Sequence, residues 1–375
     1  MTRVRFGDVV NDIKVNIDRQ NNPYDIYVAG DHMDSEDLTL HRWGSFATDD
    51  VGPAFIRIFK PGQVLYGSRR TYLKKIVVAP FEGITANTTF VLETKNEDEF
   101  SQRLLPFIML SDDFTEWSIR KSKGSTNPYV LFSDLADYEF DLPSPKEQRR
   151  LADKLWAAYE LKEAYKKMIA ATDEMVKAQF IEMFGGCTHQ KELATLCDVF
   201  IDGDWIETKD QSNEGIRLVQ TGNVGQGYFK DKDDKSRYIS DETFKRLNCT
   251  EIKAGDILVS RLPDPIGRAC IVPDNIGKAI TAVDCSIIRL NAHILPEFFI
   301  VYTQTVLYTV QLNKVVTGTT RLRISRNNLG KILVPVPDMA SQSKFSEIVH
   351  QAEKSKSELR QAIEKLDRVM KSLMQ

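Results

Sequence analysis

Few of the reactive residue types in this sequence stand at spacings that perform chemistry. An amino-methyltransferase needs an Asn/Asp-Pro-Pro-aromatic loop and a glycine-rich cofactor turn. Asn127-Pro128-Tyr129 lacks one proline and follows no strand–glycine turn–helix unit. Gly222-Asn223-Val224-Gly225-Gln226-Gly227 has the wrong glycine order for a cofactor loop. A metal-dependent carboxylate nuclease wants an acidic residue and then acidic-x-Lys, a form that Glu82 with Glu93-Thr94-Lys95 shares. With 27% charged residues such a match arises cheaply, and the corresponding stretch of the second half, Arg289-Leu290-Asn291, has no carboxylate. The histidines (His32, His41, His189, His293, His350) show no HExxH or other ligand spacing. No Ser-His-Asp grouping follows from their order. Cys187, Cys197, Cys249, Cys270 and Cys285 form no CxxC pair and read as buried or idle thiols. Neither a catalytic nor a metal site is expected.

Basic runs are the stronger signal. Arg69-Arg70-Thr71-Tyr72-Leu73-Lys74-Lys75 sets four cations around an aromatic ring. Arginines match the guanine edge in the major groove, lysines neutralise phosphates, and Tyr72 can stack or bond a phosphate. Arg120-Lys121-Ser122-Lys123-Gly124-Ser125-Thr126-Asn127 ends in a small polar turn whose backbone amides suit an anion; Arg120, Lys121, Lys123, Ser125 and Asn127 are its candidate contacts. The second half offers Lys314, then Thr319, Thr320, Arg321, Arg323 and Arg326. From Phe298 to Pro337 there are five basic residues and no acidic one. Arg261 and Arg268, after Ile257-Leu258-Val259, are further candidates. Asp202, Asp204, Glu207 and Asp210 would repel DNA and mark an edge facing elsewhere; without a partner histidine or an EF-hand glycine pattern they do not read as a metal site.

The elements that must position these residues are written twice. Phe59-Lys60-Pro61-Gly62-Gln63-Val64-Leu65 is echoed by Ile252-Lys253-Ala254-Gly255-Asp256-Ile257-Leu258, Leu105-Pro106 by Leu295-Pro296, and Gly124-Ser125-Thr126 by Gly318-Thr319-Thr320. Pro143/Pro145 with Gln148 is echoed by Pro335/Pro337 with Gln342. Each half is β-rich, with a helix expected over Pro106–Ile119 and over Pro296–Leu312, and each ends in a long helix. Apolar or small residues recur at Leu151, Leu155, Ala158, Leu161, Tyr165, Met168, Thr172 and Met175, and again at Phe345, Ile348, Ala352, Leu359, Ile363, Leu366, Val369 and Leu373. Each helix of about 38 residues is roughly 57 Å long. The two stripes cover one another most economically by pairing within the chain; an intermolecular coiled coil is the alternative. The 375 residues exceed one ordinary domain. At 42% hydrophobic and a net charge of −3, wholesale disorder and a uniformly basic coat are excluded. No apolar run resembles a signal peptide or a membrane span, so a cytoplasmic protein with no membrane role is expected.

Leu142-Pro143-Ser144-Pro145-Lys146-Glu147-Gln148-Arg149, with its looser second copy at Val334-Pro335-Val336-Pro337 and Gln342, resembles the junction between recognition domain and spacer helix in type I restriction–modification specificity subunits. Ala178–Gly185 resembles that family's exit from the first spacer. Gly62–Lys75 with Phe81-Glu82-Gly83 is similar to one common type of recognition domain, although Gln63 stands where the family usually has the aspartate kept at Asp256. The resemblance covers essentially the whole chain. It implies an α+β protein with two β-rich target recognition domains in tandem repeat, 1–144 and 187–337. Two long antiparallel coiled-coil spacer helices, 145–186 and 338–375, would complete a pseudo-twofold arrangement. It implies a non-catalytic subunit that reads a gapped, two-part target on double-stranded DNA and docks methyltransferase subunits, one per half. S-adenosylmethionine would sit on those subunits, and a motor-nuclease subunit would supply restriction. Leu151, Leu155, Tyr165, Met168, Met175, Phe345, Leu359, Leu366 and Leu373 are the expected partner-binding positions on the spacers. The competing reading is a coiled-coil scaffold with two protein- or glycan-binding domains.

Overall fold

A computed structural model describes residues 2–18, 21–232, 235–318 and 322–374. The chain falls into two compact units, residues up to Tyr165 together with those from Gln361 on, and Lys166–Arg360. The fold is mixed α and β.

The first unit contains β1 (Thr2–Arg5), α1 (Phe6–Val9), β2 (Val10–Asp12), β3 (Ile26–Val28), β4 (Gly44–Ser45), β5 (Phe55–Phe59), β6 (Val64–Gly67), β7 (Ile76–Val78), β8 (Gly83–Ala86) and β9 (Thr89–Thr94). Then come α2 (Leu105–Leu110), α3 (Asp112–Lys121), α4 (Phe132–Ala136), β10 (Glu139–Leu142) and the start of α5 (Pro145–Phe184). One sheet runs β2-β9-β6-β7, a second β4-β3-β8-β5, and β1 pairs with β10. The alternation of Val64, Tyr66, Phe90 and Leu92 toward one face joins Phe6, Phe100, Phe107 and Phe114 from the helices in one core. The helix expected over Pro106–Ile119 is broken at Ser111, whose extended backbone ends α2 and whose hydroxyl accepts the Phe114 amide to cap α3.

The second unit contains the rest of α5, then β11 (Gln190–Glu192), β12 (Cys197–Asp202), β13 (Ile216–Val219), β14 (Arg237–Ile239), α6 (Asp241–Arg246), β15 (Ile257–Ser260), β16 (Ala269–Ile271), β17 (Ala279–Thr281) and β18 (Cys285–Leu290). It closes with α7 (Pro296–Tyr302), α8 (Val306–Val315), α9 (Arg326–Gly330), β19 (Leu333–Pro335) and α10 (Met339–Leu373), whose last turns belong to the first unit. Its sheets run β12-β18-β15-β16, β14-β13-β17 and β11-β19. The β13–β17 pair is parallel, as is β3–β8 in the first unit. Phe180 and Phe184 of α5 pack on Phe298 of α7 at 4.8 and 4.9 Å and on Phe345 of α10 at 5.4 and 5.6 Å. The segment expected as one helix over Pro296–Leu312 is again two, α7 and α8, parted at Thr303–Thr305.

Both units anchor their long helix with one glutamine. Gln148 is buried; its amide donates to the Glu99 and Pro143 carbonyls and its oxygen accepts the Ser101 amide. Gln342 donates to the His293 and Pro337 carbonyls and accepts the Leu295 amide. Gln63 and Asp256 likewise do one job with different partners. Each receives the backbone amide three residues before it, Lys60 or Lys253. Gln63 then donates to Glu93, whereas Asp256 accepts two bonds from Arg289. The missing aspartate is thus offset by a carboxylate on the neighbouring strand.

The long helices depart from the expected stripes. In α5 the buried positions are Gln148, Ala152, Leu155, Tyr159, Val176, Phe180 and Phe184, while Leu161, Met168 and Met175 are 42%, 53% and 54% exposed. Of the expected partner-binding positions, Leu155 and Phe345 are core residues of their own units and cannot meet a partner. Leu151, Tyr165, Leu359, Leu366 and Leu373 are half-buried. The pattern misled because polar groups occupy the inner face: Lys162 pairs with Asp367 in the first unit, and Lys356, nearly buried, pairs with Asp173 and Glu353 in the second.

Candidate nucleic-acid interface

In the first unit β6 and β7 make a hairpin whose loop, residues 68–74, is closed by the Gly67 amide on the Lys75 carbonyl at 3.0 Å. Thr71–Leu73 forms a single helical turn between Arg70 and Lys74, both in the left-handed region at φ 51° and 46°. Two non-glycine residues there cost of order 1–2 kcal/mol each, so surrounding contacts must hold them. The Arg70 amide bonds the Pro128 carbonyl at 2.7 Å, and the Val130 amide bonds the Ser68 carbonyl at 2.9 Å. These bonds lay a second loop alongside the hairpin. It is closed by paired bonds between Lys123 and Tyr129 at 2.8 and 2.9 Å, with Gly124 at φ 88°.

Two runs more than fifty residues apart in sequence therefore share one surface. Arg69, Arg70 and Tyr72 stand exposed on the first loop; Lys123, Ser125, Asn127 and Tyr129 stand exposed on the second. No hydrogen bond or ion pair holds either arginine side chain of the first loop among the described residues, so both guanidiniums are open to an anion or a base edge. Arg120 and Lys121 flank the Trp117 ring at 5.0 and 4.8 Å, a cation–π arrangement that aims both from the end of α3. Trp117, not singled out in the sequence, gives these cations a fixed seat.

Lys74 and Lys75 are spent internally. The Lys74 ammonium lies 3.3 Å from the Leu110 carbonyl and 3.2 Å from Asp112, and that of Lys75 donates to the Gly30 carbonyl at 2.6 Å. Asp112 also meets Lys371 at 2.7 Å, and these two lysines hold its carboxyl below the usual range.

The second unit repeats the layout with different chemistry. The β15–β16 loop, residues 261–267, is closed by the Ser260 amide on the Arg268 carbonyl at 2.9 Å. The Ile324 amide bonds the Arg261 carbonyl at 3.2 Å, which brings the loop closed by Thr317 and Arg323 alongside. Here the candidates Arg261 and Arg268 fail: they are only 5% and 9% exposed. Arg268 donates to the carbonyls of Val224, Leu262, Pro265 and Thr221 at 2.7 to 2.9 Å. Arg261 donates to the Val283 carbonyl. Carbonyls satisfy Arg268, while Arg261 keeps one carbonyl and the Asp202 carboxylate at 3.5 Å, and both residues brace the loop rather than face a ligand. Arg323 is half exposed beside Asp284 at 2.8 Å, Lys314 is exposed on α8, and Arg326 begins α9 half-buried. Thr319, Thr320 and Arg321 lie outside the described residues.

The acidic run of this unit is largely structural. Asp210 pairs with Arg246 at 2.5 Å, and Asp204 accepts the Thr250 amide, its carboxyl raised by burial. Asp202 meets Ser286 and Arg261. No helix among the described residues is long and apolar enough to cross a membrane.

Comparison with known proteins locates this arrangement. The family model described as the Type I restriction modification DNA specificity domain matches residues 189–366. The Type I restriction enzyme EcoDI specificity subunit of Escherichia coli is 23% identical over 165 residues, 44% of this chain and 35% of that protein, so the match spans about a third of that relative's length. Two solved structures share the fold along the full chain. One, from work on complex assembly and conformational transition of a type I R-M system, has a TM-score of 0.57 at 18% identity, covering 100% of this chain and 96% of that one. The type I restriction-modification S subunit from M. genitalium has a TM-score of 0.54 at 13% identity, covering 100% and 94%.

Proposed function

Because residues 189–366 match the family model described as the Type I restriction modification DNA specificity domain, we propose that the whole chain is the specificity subunit of such a system, reading a gapped, two-part target on double-stranded DNA. The observation that carries this reading is the pair of adjoining loops in each unit, 68–74 with 123–129 and 261–267 with the loop closed by Thr317 and Arg323, joined by one equivalent backbone bond, Val130 to Ser68 and Ile324 to Arg261. In the first unit they collect the unpaired guanidiniums of Arg69 and Arg70, the Lys123 ammonium paired with Asp134 at 2.9 Å, and exposed aromatics, the combination that neutralises phosphates and meets base edges. The DNA-contacting set is Arg69, Arg70, Tyr72, Arg120, Lys121, Lys123, Ser125 and Asn127 in the first half. In the second it is Lys314, Thr319, Thr320, Arg321, Arg323 and Arg326.

Residues 1–144 and 187–337 act as tandem recognition domains, and 145–186 and 338–375 as antiparallel spacer helices related by a pseudo-twofold axis. The glutamine anchors support the duplication, since Gln342 and its three partners each lie 194 residues after Gln148 and its own. The ion pairs support it too: Lys356 and Asp367 stand 194 residues after Lys162 and Asp173, and each lysine pairs with the aspartate of the other helix. The chain itself is non-catalytic. Methyltransferase subunits carrying S-adenosylmethionine dock on the helices, one per half, and a motor-nuclease subunit adds restriction. The outward face of α5, with Leu161, Met168 and Met175 at heptad spacing, suits a partner helix.

The test is base-modification sequencing of DNA from cells expressing the chain with its methyltransferase subunit. A gapped methylation motif that vanishes without the chain is expected; active methyltransferase with no such motif would refute the reading. Replacing Arg69, Arg70, Arg321 and Arg323 by alanine should abolish specific binding with folding intact, and each lost phosphate contact should flatten the slope of log affinity on log salt by about one. Unchanged binding would remove these residues from the interface.

A further inference from the structure

The hairpins 68–74 and 261–267 have the same frame and opposite tips. Each is closed by an equivalent bond, Gly67 to Lys75 and Ser260 to Arg268, to which the second adds Gly267 to Ser260, and each gives the carbonyl of its first residue to the loop beside it, Ser68 to Val130 and Arg261 to Ile324. They occupy the same place in their units. The first presents Arg69, Arg70 and Tyr72. The second presents Asp264 and Pro265, and its two arginines are withdrawn into the protein. Among the described residues no hydrogen bond or ion pair engages the Asp264 carboxylate.

That tip is also built to be rigid. Arg268 binds the carbonyls of Leu262 and Pro265, on either side of Asp264, at 2.9 and 2.8 Å. The Tyr308 hydroxyl donates to the Gly267 carbonyl at 3.0 Å. A hairpin meant only to neutralise phosphate would turn its arginines out and have no use for a lone carboxylate at its apex. A carboxylate in the major groove can only accept. Guanine shows it two acceptors, and adenine sets an acceptor, N7, beside its amino group. Cytosine offers the N4 amino donor without that adjacent acceptor.

We infer that Asp264 reads a cytosine in the half-site of the second unit, while the arginine tip of the first unit reads a guanine in the other half-site. This rests on the DNA-reading function proposed above. Asparagine carries both a donor and an acceptor and pairs with adenine N6 and N7, so Asp264→Asn is the informative change.

The experiment is selection of bound duplexes by the full chain with its methyltransferase subunit from a library randomised in both half-sites. The wild type should select a cytosine at one position of one half, by roughly 5- to 150-fold over other bases. Asp264→Asn should move that position toward adenine, Asp264→Ala should level it, and neither should alter the other half. Arg69→Ala with Arg70→Ala should relax a guanine in that other half alone. A wild-type motif with no G·C pair in the half that these variants leave to the second unit would overturn the inference while the DNA-reading function stands. So would an Asp264→Asn motif identical to wild type. Selection of no motif at all by the wild type would instead defeat the function itself. Should either Asp264 variant fail to fold, the wild-type motif and the remaining variant still decide the matter.

Discussion

At the scale of single residues, the glutamines that begin the long helices explain themselves once their partners are visible. Gln342 is fully buried and satisfies two carbonyls and one amide in part-buried surroundings. Gln342→Ala strands all three, and a loss of about 2–4 kcal/mol is expected from the cost of buried unpaired groups. Urea denaturation would measure it, and a loss under 1 kcal/mol would mean that water replaces the side chain. The sequence marks this residue only as a landmark after Pro-x-Pro; its three partners come from segments folded beside it. Arg261 and Arg268 show the converse, because a sequence displays charge but not the direction in which a side chain turns. Of the thiols expected to be buried or idle, Cys249, Cys270 and Cys285 are buried and Cys187 and Cys197 half-buried. Burial pushes Cys270 and Cys197 up to about 12 and Cys249 and Cys285 up to about 11. At pH 8 in the native state a thiol reagent should therefore modify Cys187 quickly and the other four only on unfolding; rapid labelling of two or more would contradict the burial described here.

At the scale of elements, hydrophobic periodicity located both long helices, but it assigned the wrong face to much of α5. A stripe of period 3.5 drawn from Leu151 includes Met168 and Met175, which point outward, and omits Tyr159 and Val176, which point inward. The inner face carries Gln148, Lys162 and Asp173, which no apolar count selects. These polar groups fix which residues of α5 and α10 lie opposite one another within each unit. The Lys356 side chain is 8% exposed and sits against Asp173 at 2.5 Å. Lys356→Glu places a third carboxylate beside Asp173 and Glu353, and a loss of about 3 kcal/mol is expected. Adding Asp173→Lys restores the opposite charge and should recover a large part of it. A double-mutant cycle in urea measures the coupling, and additive losses would show that the pair does not set the register. Lys356→Met should cost less than the charge reversal, since the carboxylates it leaves unpaired, Asp173 and Glu353, are 40% and 55% exposed and keep water as a partner. The breaks at Ser111 and at Thr303–Thr305 are marked in the sequence by short polar interruptions, Ser111-Asp112-Asp113 and Thr303-Gln304-Thr305, which a reading by apolar runs alone passes over.

At the scale of the whole molecule, the proposed function makes the helices a ruler, and the ion pairs show how to shorten it without disturbing its seam. Lys162 and Asp173 are separated by the same number of residues as Lys356 and Asp367. Deleting residues 164–170 from α5 and 357–363 from α10 removes one heptad from each helix inside those intervals. A heptad is nearly two full turns, so the side chains on either side of the cut stay within about 20° of their original faces. The partners of both ion pairs then still meet. The spacers lose about 10 Å of length, equivalent to about 3 base pairs at 3.4 Å each. Both half-sites should be retained, and the gap between them should contract by about that number. Affinity should fall as well, because 3 base pairs rotate one groove by about a third of a turn relative to the other and the duplex must twist to compensate. Selection from a library with fixed half-sites and variable gaps measures this directly. An unchanged gap would mean that something other than the helices sets the distance between half-sites, such as the docked methyltransferase subunits. Deleting the heptad from α5 alone provides the control: it sets Asp173 out of step with Lys356, and the loss of folding expected from that mismatch should be absent from the paired deletion.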